Sequence, residues 1–260
     1  MRLMSILGSD ANYLLFLLIL TRMSGCILFN PILGRKEIPS IAKLGIAVIL
    51  SVFTYQILPH QDPMIGSFLA LVLAGCRELL IGFMAGFIIQ LFLSVFIMSG
   101  EAMDMQIGIS MSKIYDPSSN ISMPLSASVI NAMFILMFFA TNSHLTLIQV
   151  FVRLGSVIPY GDRMIPTDVF KNLAGLFTLM LIYAVKLALP ILAVQLISEI
   201  GVGLITRAVP QVDIFSMQIQ LKLIIGFLAM MILVPSFSDF LQRLMVLMFD
   251  NLSGLYGMLK

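Results

Sequence analysis

The sequence predicts an all-α protein of membrane type built from long, kinked helices, and three observations lead there. The chain of 260 residues is 60% hydrophobic, with a mean hydropathy of +1.05. Only 11% of its residues are charged, where a soluble domain carries about 25%. Its apolar residues fall into six runs, roughly 12–33, 41–58, 64–99, 123–152, 172–206 and 217–249. None of the runs alternates between apolar and polar positions, and each is too long or too uniformly apolar for a strand. The same composition excludes other classes. A net charge of +2 with no basic run offers nothing to follow a phosphate backbone, so no nucleic acid is expected. Cys26 and Cys76 lie within apolar runs and make neither a disulfide framework nor a metal site. His60 and His144 belong to no HExxH, GxSxG or Cys/His pattern, so no catalytic residue, metal or cofactor is expected.

The first run follows an N-terminus, MRLMSILGSDANYLLF, that has a single early Arg and no small-residue cleavage pattern. It is therefore expected to stay in the mature protein. The loop Gly34–Lys43 sets Arg35, Lys36 and Lys43 against Glu37, which places it on the cytoplasmic side if the chain inserts conventionally. Tyr13, Tyr55 and Tyr160 stand near the ends of runs, where they suit an interface.

From Met64 to Asp104 there is no proline. One helix of about 40 residues and on the order of 60 Å is thus permitted, against a bilayer core of about 30 Å. On it, Gly75, Glu78, Gly82, Gly86, Gln90, Glu101, Asp104 and Gly108 share an arc of roughly 140°. Glycines let another backbone approach, and the polar members need partners. That face, with Arg77 beside Glu78 as its nearest cation, is expected to meet protein rather than lipid.

Gly100–Pro124 (GEAMDMQIGISMSKIYDPSSNISMP) is the longest polar interruption. Asp116, Pro117 and Pro124 stop a helix, and Gly108, Ser110, Met111 and Ser112 are small or pliable. The stretch reads as a loop folded inward from the end of the long helix. Further on, Lys186 and Pro190 interrupt the fifth run, and Gln195 and Glu199 sit one turn apart. Pro210 then ends a helix whose polar tip carries Arg207, Gln211, Asp213 and, later, Lys222. Pro235 is expected to kink or break the last helix. Beyond it Asp239 and Arg243 form an i,i+4 pair.

At this hairpin the chain resembles a known family. Gly203-Leu-Ile-Thr-Arg-Ala-Val-Pro-Gln-Val-Asp-Ile-Phe215 is similar to the motif of FliR, the flagellar export-gate subunit, and its type III secretion counterparts (the FliR/SctT family). The resemblance extends to Arg22, Pro31, Arg77-Glu78 with the glycines after it, and Gly108 through Asp116-Pro117 to Met123-Pro124. It covers essentially the whole chain.

The resemblance implies a FliP-like helical part over 1–175 and a FliQ-like helical hairpin over 176–260. One such subunit would join FliP-like and FliQ-like chains in a helical ring around a secretion pore in the bacterial inner membrane, within the flagellar basal body. FlhB-like and FlhA-like components would be its further partners, and unfolded export substrates its cargo. The loop 106–122 would be the pore plug, with Gly108, Met111, Ile114, Tyr115, Asp116 and Pro117. Relatives tend to carry aromatic residues there, whereas Met111 and Ile114 occupy the matching positions here. The hairpin tip would make gate contacts through Arg207, Pro210, Gln211, Asp213 and Phe215. Arg77, Glu78, Gln90, Glu101 and Asp104 would form the intersubunit polar face. The function implied is non-enzymatic: forming and closing the pore. An injectisome subunit and, less readily, a multi-helix secondary transporter are the alternatives. The transporter reading lacks a matching pair of broken helices in two halves.

Overall fold

A computed structural model describes residues 10–35, 37–58, 61, 67–110, 123–161, 167–208 and 214–258. Among these residues the regular structure is helical: α1 Asp10–Leu28, α2 Ser40–Ile57, α3 Phe68–Ile107, α4 Leu125–Ala140, α5 Ser143–Val157, α6 Thr167–Ala208 and α7 Ile214–Met258. Four of them are long and apolar enough to cross a membrane: α2, α3, α6 and α7. α3, with no proline to stop it, runs for 40 residues, twice what a bilayer needs at 1.5 Å per residue.

Two expectations about breaks change, and the third, a kink or break at Pro235, loses the break. The fourth run is two helices, because α4 and α5 meet at a 74° bend. Asn142 makes the corner with φ 56°, in the left-handed region that asparagine tolerates better than most residues. Pro190 and Pro235, by contrast, lie inside α6 and α7, which continue past them for 42 and 45 residues in all. A proline removes one helical hydrogen bond, but in long apolar helices neighbouring elements hold the rest of the ladder together. Lys186 likewise does not interrupt α6.

The chain divides into two compact units. Unit 1 holds residues 1–91, 142–176 and 247–260, and unit 2 holds residues 92–141 and 177–246. Unit 1 buries Leu18, Ile19, Met23, Ile27, Ile88, Ile89, Phe151 and Leu154. Within it α1 and α3 meet backbone to backbone. A Cβ on Gly25 would lie 2.7 Å from the Leu79 carbonyl, and one on Gly82 would lie 2.7 Å from the Cys26 nitrogen. Only glycine permits that approach. Phe29 then packs edge-on against Phe83, with ring centroids 4.9 Å apart.

Unit 2 buries Phe92, Phe96, Phe134, Phe138, Leu187, Ile191, Leu241 and Leu244. Phe96 and Phe134 pack with ring centroids 5.0 Å apart. α4 and α7 run parallel here. Ser126 reaches the Met230 sulfur at 3.6 Å, and Ser238 reaches the Met137 sulfur at 3.6 Å. Further along, Thr141 reaches the Met245 sulfur at 4.0 Å.

Candidate functional site

A charge in an apolar core costs several kcal/mol unless it is paired and hydrogen-bonded, so the buried polar groups show where the chain holds itself. Among the described residues, unit 1 contains one such knot. Arg22, on α1, is wholly buried and donates from Nε to Glu78 Oε2 on α3 at 2.5 Å. Its remaining guanidinium nitrogens donate to carbonyls at the end of α5, Ile158 at 2.9 Å, Leu154 at 3.4 Å and Pro159 at 3.5 Å. The Tyr160 ring lies under it, 3.8 Å from the guanidinium carbon. Glu78 Oε1 accepts the Gly161 N–H at 3.0 Å, and Gln61 accepts the Tyr160 N–H at 3.1 Å. Burial pushes the Tyr160 phenol above its ordinary value, against the opposing pull of the Arg22 charge. Helices α1, α3 and α5 are pinned together at this one point.

Among the described residues, unit 2 has two such places, both near the C-terminal end of α3. Asp104 is buried there and accepts the Leu125 N–H at 2.6 Å and the Ser126 N–H at 3.1 Å. The Ser126 hydroxyl also donates to it. Two residues on, Gln106 donates to Glu199 at 3.1 Å, and Lys222 on α7 pairs with the same carboxylate. Buried Gln195 donates to the Lys222 carbonyl at 2.9 Å. Gly226 fits against this cluster, because a Cβ there would stand 2.7 Å from Gln195 Nε2 and 2.8 Å from the Ile107 side chain.

The expected intersubunit face is thereby divided. Glu78 and Asp104 do not point outward; each is buried and uses its carboxylate inside the chain. The partner of Glu78 is Arg22, not Arg77, since successive residues on a helix diverge by about 100°. Gln90 is exposed, and Arg77 and Glu101 are half-exposed.

At the loop, α3 ends at Ile107, and Gly108 turns the chain with φ 95°. The Gly108 and Ser110 N–H groups both donate to the Asp104 carbonyl, at 3.0 and 3.3 Å. Met111, Ile114, Tyr115, Asp116 and Pro117 lie outside the described residues, as do Pro210, Gln211 and Asp213 of the hairpin tip. Arg207 is exposed in the last turn of α6, and Phe215 belongs to the first turn of α7.

Sequence reasoning missed the roles of Arg22, Gln61, Ser126 and Tyr160. For Arg22 a signal existed: a lone cation inside an apolar helix requires a carboxylate elsewhere. Among the described residues no group of three or more His, Cys, Asp or Glu is arranged to hold a metal ion.

Comparison with known proteins identifies the family of the chain. Residues 13–248 match the profile of "Bacterial export proteins, family 1". The chain is 30% identical over 236 residues to the flagellar biosynthetic protein FliR of Escherichia coli (strain K12), covering 91% of this chain and 90% of that protein. It is 24% identical over 224 residues to FliR of Bacillus subtilis (strain 168), covering 84% and 85%. To the Yop proteins translocation protein T of Yersinia pestis it is 23% identical over 255 residues, covering 95% and 96%. With the family profile matched nearly end to end, and with the described residues forming helices of which four are of membrane length, the protein belongs to family 1 of the bacterial export proteins.

Proposed function

We propose that this chain is a non-enzymatic subunit of the flagellar type III export gate, helping to form and close the pore through which unfolded flagellar proteins pass. The observation that carries the proposal is the family match over residues 13–248, together with relatives whose names place them in flagellar biosynthesis and in Yop translocation. The flagellar reading is preferred because identity reaches 30% with a flagellar relative. The injectisome reading keeps the support of the Yersinia protein at 23%.

In this account the chain sits in the inner membrane at the basal body, in a ring with FliP-like and FliQ-like subunits and near FlhB-like and FlhA-like components. Its FliP-like part is 1–175 and its FliQ-like hairpin 176–260. A 40-residue α3 suits a ring that extends beyond the bilayer plane. Ile41, Phe68 and Ile232, 87%, 82% and 75% exposed on membrane-length helices, suit a chain whose apolar faces are covered by lipid or by neighbouring subunits. Arg77, Gln90 and Arg207 offer polar contacts at the surface.

A pore wide enough for an unfolded chain collapses ion gradients unless it is closed at rest, and apolar side chains close a constriction by excluding water. Met111, Ile114 and Tyr115, carried between Gly108 and Asp116-Pro117, are assigned that task. An unbranched Met repacks readily when substrate passes. Deleting residues 109–115, or changing Met111 and Ile114 together to Gly, is expected to admit small ions or dyes while the ring still assembles. Conductance and dye uptake at equal complex abundance decide it. An intact barrier would remove the plug from the account.

A further inference from the structure

α3 and α4 are joined through residues 108–124, and the two ends of that connection are tied to each other by one side chain. Asp104 stands one turn before the end of α3. Its two oxygens take the Leu125 N–H at 2.6 Å and the Ser126 N–H at 3.1 Å, across 21 and 22 residues. The Ser126 hydroxyl donates to the same carboxylate. The N-cap position of α4 is Pro124, which makes no side-chain capping bond. The first turn of α4 therefore takes its cap from another helix.

Close packing brings the two helices to this distance. A Cβ on Gly100, one turn before Asp104, would lie 2.7 Å from the Ala127 Cα. Ser126 also rests 3.6 Å from the Met230 sulfur, which seats the tie against α7. On the α3 side, the Asp104 carbonyl receives the Gly108 and Ser110 N–H groups. One residue thus holds both the exit from α3, through its backbone, and the entry to α4, through its side chain.

We infer that Asp104 is a positioning residue: it fixes the separation and direction of the two ends of the 108–124 connection, beyond capping α4. A local cap would satisfy the same N–H groups, as serine, threonine, asparagine or aspartate does at most helix starts. A cap supplied by α3 satisfies them only when the two ends are together. The consequence for pore closure rests on the plug reading given above; the tie itself does not.

The test uses the chain assembled with its partner subunits, and separates capping from tying. Asp104→Ala removes both. Adding Pro124→Ser to it restores a local capping oxygen at the start of α4 and leaves the tie absent. Amide hydrogen exchange is followed in peptides covering 105–110 and 123–128. Asp104→Ala is expected to speed exchange roughly fivefold or more in both. The double variant is expected to return 123–128 to the parental rate while 105–110 stays fast. Recovery of both peptides, or no change at 105–110 in Asp104→Ala, would overturn the inference. Should Asp104→Ala fail to assemble, Asp104→Asn keeps one acceptor oxygen and the side-chain volume. A smaller rise in both peptides is then expected, and parental exchange at 105–110 overturns the tie.

Dye uptake distinguishes this inference from the reading it rests on. A leak in Asp104→Ala and in the 109–115 deletion supports both. A leak in the deletion alone overturns the consequence for pore closure, and the exchange rates still decide the tie. An intact barrier in the deletion refutes the plug and leaves the exchange rates to judge Asp104.

Discussion

Removing Arg22 is the perturbation whose size the structure defines best. Arg22→Met keeps most of the side-chain length and deletes the guanidinium. The Glu78 carboxylate, on a buried residue, then loses its 2.5 Å donor and keeps the Gly161 N–H at 3.0 Å. Breaking one side of a buried ion pair in this way costs about 3–5 kcal/mol. The carbonyls of Leu154, Ile158 and Pro159 lose a donor as well, and the Tyr160 ring loses its cation. Those losses place the variant toward the upper end of the range. Glu78→Gln leaves the Gly161 contact possible and strands the Arg22 charge, with a similar cost. Arg22→Met with Glu78→Gln leaves no buried charge. The double variant should therefore fall short of the sum of the singles by about 2–3 kcal/mol. The assay is denaturant-dependent retention of the chain in the co-produced complex, with midpoints compared at unchanged slope. Singles that each shift stability by less than about 1 kcal/mol, or a strictly additive cycle, would refute the reasoning, because such values belong to solvated pairs.

Two further predictions follow from other parts of the chain. Gly82→Val drives a side chain into the α1 backbone at Arg22 and Cys26 and should sharply reduce recovered complex, whereas Gly45→Ala, open within 4 Å, should be neutral or slightly stabilising; quantitative immunoblotting of purified complex checks both. Arg207→Glu inverts an exposed charge at the end of α6, and in the proposed ring should lower export and weaken the complex; wild-type secretion would leave that tip a solvated loop.

What was legible in the sequence follows physical range. α3 was legible because an apolar run without proline has no local reason to stop, and its 40 residues match the run closely. The corner at Asn142 was not, since the apolar runs on either side hide it. The polar Thr141-Asn142-Ser143-His144 stretch, with an asparagine able to take φ 56°, is the signal that marks it. Pro190 misled in the opposite sense, since α6 runs on through it, and at Pro235 α7 is likewise not broken, because a rule drawn from water-exposed helices overstates how often proline ends long apolar ones. The polar residues of α3 were recognised as needing partners, but which partners was beyond reach. Arg22 and Glu78 are 56 positions apart, and Asp104 and Ser126 are 22 apart with a loop between. Only packing selects Glu78 and Asp104 for burial and leaves Gln90 at the surface.

The central claim, that this chain is one subunit of a heteromeric export gate, is tested most directly by the mass of the particle that contains it. The chain is purified in mild detergent, once produced alone and once together with FliP-like and FliQ-like chains, and its mass is measured by light scattering with the detergent contribution removed. The account predicts aggregation or rapid loss of the chain alone, and a discrete heteromeric particle of several chains on co-production. A monodisperse, long-lived single chain in both preparations would contradict it.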